Sequence, residues 1–254
     1  MLNDQKTIVN AAPQGGIAQI ANVAQCYQAI TRTEKRHVLA AGIAAFYGPS
    51  GLGKSIAALY VANKTGAYYV QAKSVYTRKA FLQAILREMA IVAAPTLSEM
   101  LDQVAGELAK SGKPLIIDEF DFLVTGGKVE LVRDIYEGSQ GVILCIGEER
   151  LPTKLEKWER FHSRVSTWQP ALPASIEDAA LLVSVYAPQI KVADDVLELL
   201  VASVKGSTRR VSSNLEMLHE YALSEGWDYV DTGRMRMLLP DGFVTGESPK
   251  PRTF

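Results

Sequence analysis

The chain has 254 residues, of which 48% are hydrophobic and 22% are charged, a balance typical of a soluble globular protein rather than a disordered one. Its length fits one α/β domain plus a small additional domain, and its net charge of −1 does not indicate the strongly basic surface of many nucleic-acid-binding domains. No apolar run approaches the roughly 18 residues that a membrane-spanning helix needs, and the first residues lack the basic start and apolar core of a signal peptide. We therefore expect a cytoplasmic protein without a membrane partner.

Hydrophobic periodicity predicts alternating helices and strands in the first two thirds of the chain. Residues 1–16 are expected to be a flexible leader, and apolar residues at three- and four-residue spacing from about Gly16 to Thr33 predict an amphipathic helix. Five short apolar or β-rich runs predict strands: AGIAAFYG, AYYVQA, KPLIIDEFDFL, VILCIGEE and VSTWQP. Helical patterns separate them, with Thr77 at a capping position. Such alternation predicts a parallel sheet covered by helices on both faces.

From Pro173 onward the pattern contains only helices: SIEDAALLVSVYA, ADDVLELLVASVKG and STRRVSSNLEMLHEYALSEG. We interpret residues 17–172 as an α/β core and residues 173–225 as a small helical lid. Residues 226–254 are poorly periodic and are predicted to be a C-terminal tail.

The stretch GPSGLGKS matches the pattern G-x-x-x-x-G-K-[ST] at every fixed position, between an apolar strand and a helix. Glycines let such a loop turn its amides toward phosphates, and the free N–H groups of the following helix favour anions. Lys54 is expected to reach the β- and γ-phosphates, and the Ser55 hydroxyl is expected to bind Mg²⁺. The loop therefore predicts a nucleoside triphosphate with Mg²⁺, without selecting the base, because its amides contact only phosphates. The predicted binding residues are Gly48, Pro49, Ser50, Gly51, Leu52, Gly53, Lys54 and Ser55.

A second motif, LIIDEFD, ends a later strand in acids. Asp118 is predicted to hold Mg²⁺ through water, and Glu119 is predicted to polarise the attacking water as a general base. Asp121 is interpreted as a loop or capping acid. The letters DEFD also resemble the D-E-x-D motif of helicases, but those enzymes need a second sheet domain that helices after Pro173 do not provide.

Together the phosphate loop, the acidic strand and the C-terminal helices resemble an AAA+ ATPase. The resemblance implies a P-loop fold with a five-stranded parallel sheet, and a nucleotide bound between subunits. It also implies that a neighbouring subunit donates an arginine toward the γ-phosphate; Arg164 in FHSRV is the candidate and Arg160 the alternative. In KGSTRRV, a glycine followed three residues later by an arginine implies that Arg209 contacts the γ-phosphate within its own chain. The position after the fourth strand departs from the family pattern, and Glu148 there is a weak candidate for positioning water.

Within AAA+ proteins the chain resembles the transposition-regulator ATPases, which are the B proteins of Mu-like bacteriophages and the helper ATPases of related transposons. The likeness covers roughly residues 17–225 and rests on LIIDEFDFL, GEERLPTKLEKWERFHSRV and GSTRRV. It implies a homo-oligomer, as a helical filament or ring, that assembles on duplex DNA with ATP, marks target sites and recruits or stimulates a transposase. The phage proteins also carry an N-terminal helix-turn-helix domain, which we expect to be absent here or reduced to one helix.

A basic segment after the second strand, QAKSVYTRKAF, is the predicted DNA contact. Arg78 and Lys79, with Lys73 nearby, are expected to bind phosphates electrostatically, and Thr77 and the helix-start amides to add hydrogen bonds. Such binding is expected to be largely non-specific and salt-sensitive. Repetition of weak contacts along an oligomer would compensate for the low net charge.

Two other functions use the same motifs. One is a replication ATPase that resembles helicase loaders, and the other is a nucleotide switch that controls a protein contact with little turnover. Glu119 argues against the switch, because a pure switch needs no acid that activates water.

The remaining reactive or aromatic side chains are predicted to be structural. Cys26 and Cys145 lie in apolar contexts, which suits buried thiols in a reducing compartment. The three histidines are scattered without metal-ligand spacing. Tyr68 and Tyr69 are interpreted as core packing.

Overall fold

The structure is a computed structural model that describes residues 16–37 and 40–246. Two compact units divide the chain. Of the described residues, one unit comprises 21–37 and 40–172, and the other, which is called below the unit that begins at Pro173, comprises 173–246 together with 16–20. Residues 1–15 of the predicted leader lie outside the described residues.

A five-stranded parallel sheet forms the centre of the unit of residues 21–172. Its strands are β1 (Ile43–Tyr47), β2 (Tyr68–Gln71), β3 (Leu115–Asp118), β4 (Ile143–Gly147) and β5 (Val165–Pro170). They lie in the order β2-β3-β4-β1-β5, so the predicted α/β fold with a five-stranded parallel sheet is confirmed. Because all strands run the same way, the loops that follow them meet at one edge of the sheet, where ligands bind in such folds.

Eight helices lie in the described part of the same unit. They are α1 (Ala21–Glu34), α2 (Lys54–Thr65), α3 (Arg78–Glu88), α4 (Leu97–Ser111), α5 (Asp121–Thr125), α6 (Val129–Ser139), α7 (Leu151–Glu156) and α8 (Glu159–His162). The Thr77 hydroxyl accepts a hydrogen bond from the Ala80 amide and caps α3, as predicted. The first helix begins at Ala21 rather than near Gly16, and Gly16 itself has a φ of +83°, outside the α-helical region.

Apolar strands and the inner faces of the helices form the core. Ile43, Leu115 and Ile143, which begin three adjacent strands, are fully buried. The rings of Phe120 and Phe161 stack with their centroids 5.4 Å apart, and both are fully buried. Cys26 and Cys145 are free, buried thiols, as predicted. Burial is the main cause that raises the pKa of Cys26 to about 12, and burial also raises the pKa of Cys145.

The unit that begins at Pro173 is mainly helical. Its elements are α9 (Ile176–Tyr186), β6 (Lys191–Val192), α10 (Asp194–Ser203), α11 (Thr208–Ser224), β7 (Tyr229–Val230) and α12 (Thr232–Leu238). The two short strands pair in parallel, which the helical pattern did not predict.

The predicted tail from residue 226 contains folded structure as far as Gly246. Asp231 accepts a hydrogen bond from the Arg234 amide and caps α12. The buried Asn214 side chain bonds both the N–H and the C=O of Val244. Sequence periodicity missed these elements because a two-residue strand and a seven-residue helix are too short to show a repeating pattern.

Among the described residues, none of the helices combines the length and the apolar character that crossing a lipid bilayer requires.

The Phe120–Phe161 stack predicts a large stability effect. Replacing Phe161 by Ala is expected to lower the free energy of unfolding by about 3–5 kcal/mol, because a fully buried ring leaves a cavity. Urea unfolding followed by tryptophan fluorescence measures the change. Val92→Ala, at a side chain that is 89% exposed, is the control and should change stability by less than about 0.5 kcal/mol. Equal stabilities of the two variants would contradict the role of the stack.

Candidate nucleotide-binding site

The stretch from Gly48 to Gly53 connects β1 to α2 at the edge where the strands end. Gly51 and Gly53 have φ values of +88° and +79°, a region that residues with a Cβ rarely adopt. Gly53 stands at the N-cap of α2, and no side chain caps that helix end. The first amides of α2 are therefore available to an anion, and the backbone has the shape of a phosphate cradle.

Lys54 and Ser55 form the start of α2 and are half-buried. The Lys54 ammonium donates hydrogen bonds to the carbonyl oxygens of Gly48 and Pro49, at 2.7 and 2.8 Å. Burial lowers the pKa of Lys54, while the charges of Asp118 and Glu119 oppose that shift. The amine is thus held at the mouth of the cradle, within the electrostatic field of the acids that end β3.

Asp118 is the last residue of β3 and is 2% exposed. One carboxylate oxygen accepts a hydrogen bond from the Glu119 amide and the other from the Tyr69 hydroxyl, both at 2.8 Å. Burial and the charge of Asp118 raise the pKa of Tyr69, so this phenol keeps its proton and remains a donor. The interpretation of Tyr69 as core packing alone is therefore wrong, since its hydroxyl orients an acid of the site.

Glu119 follows in an unusual backbone conformation. Its φ is +54°, in the left-handed region that costs free energy for a residue with a side chain. Backbone hydrogen bonds on either side hold the turn in place, from Ala72 to the carbonyl of Asp118 and from Phe120 to the carbonyl of Ile146. Burial is the main cause that raises the pKa of Glu119, and the charge of Asp118 adds to it.

Asp121, Lys154 and Glu148 link the ends of β3 and β4. The Asp121 side chain accepts hydrogen bonds from the Lys154 ammonium at 2.6 Å and from the Glu148 amide at 2.7 Å. The same ammonium lies 3.2 Å from a carboxylate oxygen of Glu148. A Cβ on Gly147 would lie 2.4 Å from the Asp121 carboxylate, so only glycine permits this approach.

Sequence reasoning identified Asp121 as a loop acid but did not single out Lys154. Asp121 is in fact buried, with 7% exposure, and Lys154 supplies its counter-charge. The pair is separated by 33 positions along the chain, so no local motif reports it.

Comparisons with known proteins agree with this geometry. Residues 36–155 match the family model described as an AAA domain. The Aeropyrum pernix ORC2 protein in its ADP form superposes with a TM-score of 0.67 at 17% identity, over 92% of this chain and 71% of that one. The Aeropyrum pernix ORC1 protein in complex with DNA has a TM-score of 0.60 at 19% identity, over 87% and 64% of the two chains.

A third similar structure is domain III of the Thermotoga maritima replication initiation protein DnaA, with a TM-score of 0.57 at 21% identity over 89% of this chain and 95% of that one. A search of curated protein sequences gives no match. The chain has the AAA+ ATPase fold.

The arginine predicted to act between AAA+ subunits lies away from the phosphate loop of its own chain. The Arg164 carbonyl bonds the amide of Ile43, the first residue of β1, so Arg164 lies at the opposite edge of the sheet from the loop. Its guanidinium contacts a carboxylate oxygen of Glu137 at 2.6 Å. Arg160, the alternative, lines the same cleft as Arg164. Neither arginine joins the site within its own chain, which agrees with a role in a neighbouring subunit and leaves that role a prediction.

Arg209 lies in the unit that begins at Pro173, exposed on the first turn of α11. The preceding Gly206 has a φ of +66°, and a Cβ there would lie 2.6 Å from the ring of Pro173. The glycine is thus required by a close backbone approach, and the contact of Arg209 with a nucleotide stays a prediction.

The predicted DNA contacts, Lys73, Thr77, Arg78 and Lys79, follow β2 and are all exposed. Because β2 is parallel to β1, this segment lies on the edge of the AAA+ sheet where the phosphate loop lies. Lys73 stands over the ring of Tyr76, and the Lys79 ammonium donates to the carbonyl of Pro95 at 3.0 Å.

The donors at the site suit Mg²⁺ as it binds in nucleotide enzymes. Within residues 16–37 and 40–246, no three His, Cys, Asp or Glu side chains form a metal cage. Mg²⁺ is usually held by one or two protein oxygens with water and substrate phosphates. Ser55 on α2 and the buried carboxylate of Asp118 are such oxygens, so the residues present fit this ion.

The raised pKa of Glu119 predicts the pH dependence of hydrolysis. A general base works as a carboxylate, so the rate should fall as the pH falls through a pKa above the usual glutamate range. Glu148 contributes to the shift, so Glu148→Gln should move this acid limb to lower pH. The rate of single-turnover hydrolysis at saturating ATP and Mg²⁺, measured as a function of pH, gives the position of the acid limb.

The matched control is Glu149→Gln, at the next exposed position, where the acid limb should not move. An acid limb that stays in place in Glu148→Gln, or moves to higher pH, would contradict the assignment of Glu119 as the titrating base.

Proposed function

We propose that the protein is a Mg²⁺-dependent ATPase that assembles as a homo-oligomer on duplex DNA and hydrolyses ATP between its subunits. One observation carries the proposal. The exposed basic segment after β2 lies on the same edge of the sheet as the phosphate loop and the acids after β3. A change at a bound γ-phosphate would therefore occur at the same edge of the sheet as a surface suited to a polyanion.

In the proposed reaction, the inward-facing amides of the loop and the start of α2 hold the phosphates, and Lys54 leaves its carbonyl partners to bind the β- and γ-oxygens. Ser55 and, through water, Asp118 would hold Mg²⁺, which would supply neutralisation of the charge on the phosphates. Tyr69 and the Glu119 amide keep the Asp118 carboxylate in one orientation.

Glu119 takes the proton from the attacking water in this proposal. Its strained turn is held by hydrogen bonds from both flanking strands, which supports a positioned catalytic group rather than a surface acid. This acid also supports turnover over the alternative of a nucleotide switch, because a switch does not need a base.

Arg164 is proposed to reach the γ-phosphate of the neighbouring subunit, with Arg160 as the alternative, and Arg209 to reach that of its own chain. Arg164 lies at the edge of the sheet opposite its own phosphate loop, so a head-to-tail arrangement of subunits would bring it to the next loop. The Glu137 contact would have to open for this insertion.

Duplex DNA is the proposed polymer on which the subunits assemble. Arg78 and Lys79 would contact phosphates, and Lys73 and Thr77 would support them from the same segment. The likeness to ORC1 in complex with DNA supports a nucleic-acid partner for this fold. With a net charge of −1, binding would depend on repetition along an oligomer.

The biological role that we propose is target selection for DNA transposition with a transposase as partner, which rests on the resemblance to the transposition-regulator ATPases. A replication ATPase is the second candidate, and the likeness to ORC2 and to domain III of DnaA favours it. Filaments on DNA that stimulate a transposase would support the first role. A closed ring that binds a replicative helicase would support the second.

Electron microscopy with linear duplex DNA tests the assembly. Oligomers should form on DNA with ATP or a non-hydrolysable analogue, disappear with ADP, and persist in Glu119→Gln, because that variant binds ATP without hydrolysing it. The double variant Arg78→Ala/Lys79→Ala should bind DNA more weakly, with the slope of log affinity against log salt reduced by about 2.

Arg87→Ala is the matched control, because Arg87 is exposed on the last turn of the same helix and lies away from the sheet edge. Its DNA affinity should equal that of the wild type. DNA binding that is absent with every nucleotide, or unchanged in the double variant, would contradict the proposal.

Mixing two inactive variants tests the sharing of the site. Arg164→Ala should lower kcat by about 10³-fold or more, as loss of an arginine finger does. Lys54→Ala should be inactive but still carry Arg164. Random assembly of an equal mixture pairs an intact loop with an intact arginine at roughly a quarter of the head-to-tail interfaces, so that share of activity should return. An inactive mixture, or full activity of Arg164→Ala alone, would contradict the assignment, and Arg160→Ala tests the alternative.

A further inference from the structure

The side chain of Asn22, on the first turn of α1, joins two backbone segments that are far apart in sequence. It is 2% exposed. Its amide nitrogen donates to the carbonyl oxygens of Leu52 and Leu172, and its amide oxygen accepts from the N–H of Leu172, each at 2.8 Å. The donors and the acceptor of this side chain are thus all used on backbone groups.

The two segments are functionally distinct. Leu52 lies within the phosphate loop, between the two glycines with positive φ. Leu172 is the last residue of the α/β unit, and Pro173 begins the other unit. Asn22 therefore connects the loop that would grip the triphosphate with the point where the chain leaves the sheet.

The start of the phosphate loop is also packed against this exit. The Ala171 amide donates to the carbonyl of Tyr47 at 2.7 Å. A Cβ on Gly48 would lie 3.0 Å from the methyl group of Ala171. Both ends of the loop are thus tied to residues 171 and 172, at one end by close packing and at the other through Asn22.

Asparagine suits this position for a chemical reason. The buried carbonyl of Leu52 and the part-buried carbonyl and N–H of Leu172 face the same point, and a primary amide supplies two donors and one acceptor there. An apolar residue would leave three backbone groups unpaired, and an aspartate would set a carboxylate against two carbonyl oxygens. The amide also has no charge that titrates, so the link persists over the working pH range.

We propose that Asn22 is a positioning residue that couples the phosphate loop to the link between the two units. When the loop adjusts around a triphosphate, the Leu52 carbonyl moves the Asn22 amide, and the Leu172 backbone follows. Binding of a triphosphate thereby shifts the backbone just before Pro173, and no side chain of the other unit takes part in this route. The inference rests on the proposed nucleotide site and adds a route by which nucleotide binding there changes the backbone at Leu172.

Amide hydrogen exchange on the full-length protein tests the coupling. Exchange is read from a proteolytic fragment that spans residues 171–174. Within it the Leu172 amide is the donor to Asn22, and Pro173 has no amide to contribute. Without nucleotide, Asn22→Leu should speed exchange of the Leu172 amide about 5- to 10-fold, as loss of one ordinary hydrogen bond does. A non-hydrolysable ATP analogue with Mg²⁺ should slow exchange at Leu172 in the wild type but not in Asn22→Leu, while residues 48–55 become protected in both.

Kinetics supply the second readout. Asn22→Leu should lower kcat about 10-fold with a smaller change in the affinity for the analogue, because the phosphate-binding amides remain. Asn22→Asp serves if Asn22→Leu does not fold, since it keeps an acceptor for the Leu172 amide but loses both donors to the carbonyls. In Asn22→Asp, nucleotide-dependent protection at Leu172 should be lost although the Leu172 bond is retained.

Gln25→Ala is the matched control. Gln25 lies one turn further along α1 and accepts a hydrogen bond from Gln169, so its partner lies in β5 rather than in the phosphate loop. This variant should retain the wild-type response at Leu172. A folded Asn22 variant with wild-type nucleotide-dependent protection at Leu172 would overturn the inference. If the wild type itself does not bind the analogue, the proposed nucleotide site fails instead, so the two failures are distinguishable.

Discussion

The parallel pairing of β1 with β4 on one side and β5 on the other is the constraint on which the site depends. Parallel strands place all their carboxyl ends at one edge of the sheet. The phosphate loop after β1 and the acids that end β3 therefore meet there, although they are far apart in the sequence. The insertion of β4 between β1 and β3 sets the spacing between the loop and Asp118. The residues that follow β4, which include Glu148 and Lys154, therefore lie between the phosphate loop and the acids of β3.

Electrostatic balance at this edge explains several contacts that otherwise look independent. Asp118 and Asp121 are both buried, and a buried carboxylate is unfavourable unless hydrogen bonds or opposite charges compensate. Tyr69 provides the hydroxyl for the first, and Lys154 provides the ammonium for the second. Neither partner is part of a nucleotide-binding motif. Each partner compensates a buried carboxylate at the edge of the sheet that carries the phosphate loop.

The two edges of the sheet have different chemistry. One edge carries the phosphate loop, Glu119 and the exposed basic segment after β2. The opposite edge carries Arg164 in an ion pair with Glu137. In the head-to-tail assembly that we propose, each subunit would supply a loop to one neighbour and an arginine to the other. The side chain of Asn22 adds a connection from the phosphate loop to Leu172, just before the chain enters the other unit.

Local sequence determined much of this protein. Glycines at fixed spacing, a lysine-serine pair, an apolar strand ending in Asp118 and Glu119, and the Thr77 cap identified the fold class, the phosphate loop and the acids, because backbone conformation and helix starts are encoded over a few adjacent residues. Tertiary structure alone decided which distant groups meet: Tyr69 with Asp118, Lys154 with Asp121, and Asn22 with Leu52 and Leu172. It also decided that part of the predicted tail folds, since the short strand β7 forms only by pairing with β6. These contacts join residues separated by tens of positions, and pairing at that distance is set by sheet order and burial rather than by a repeating local pattern.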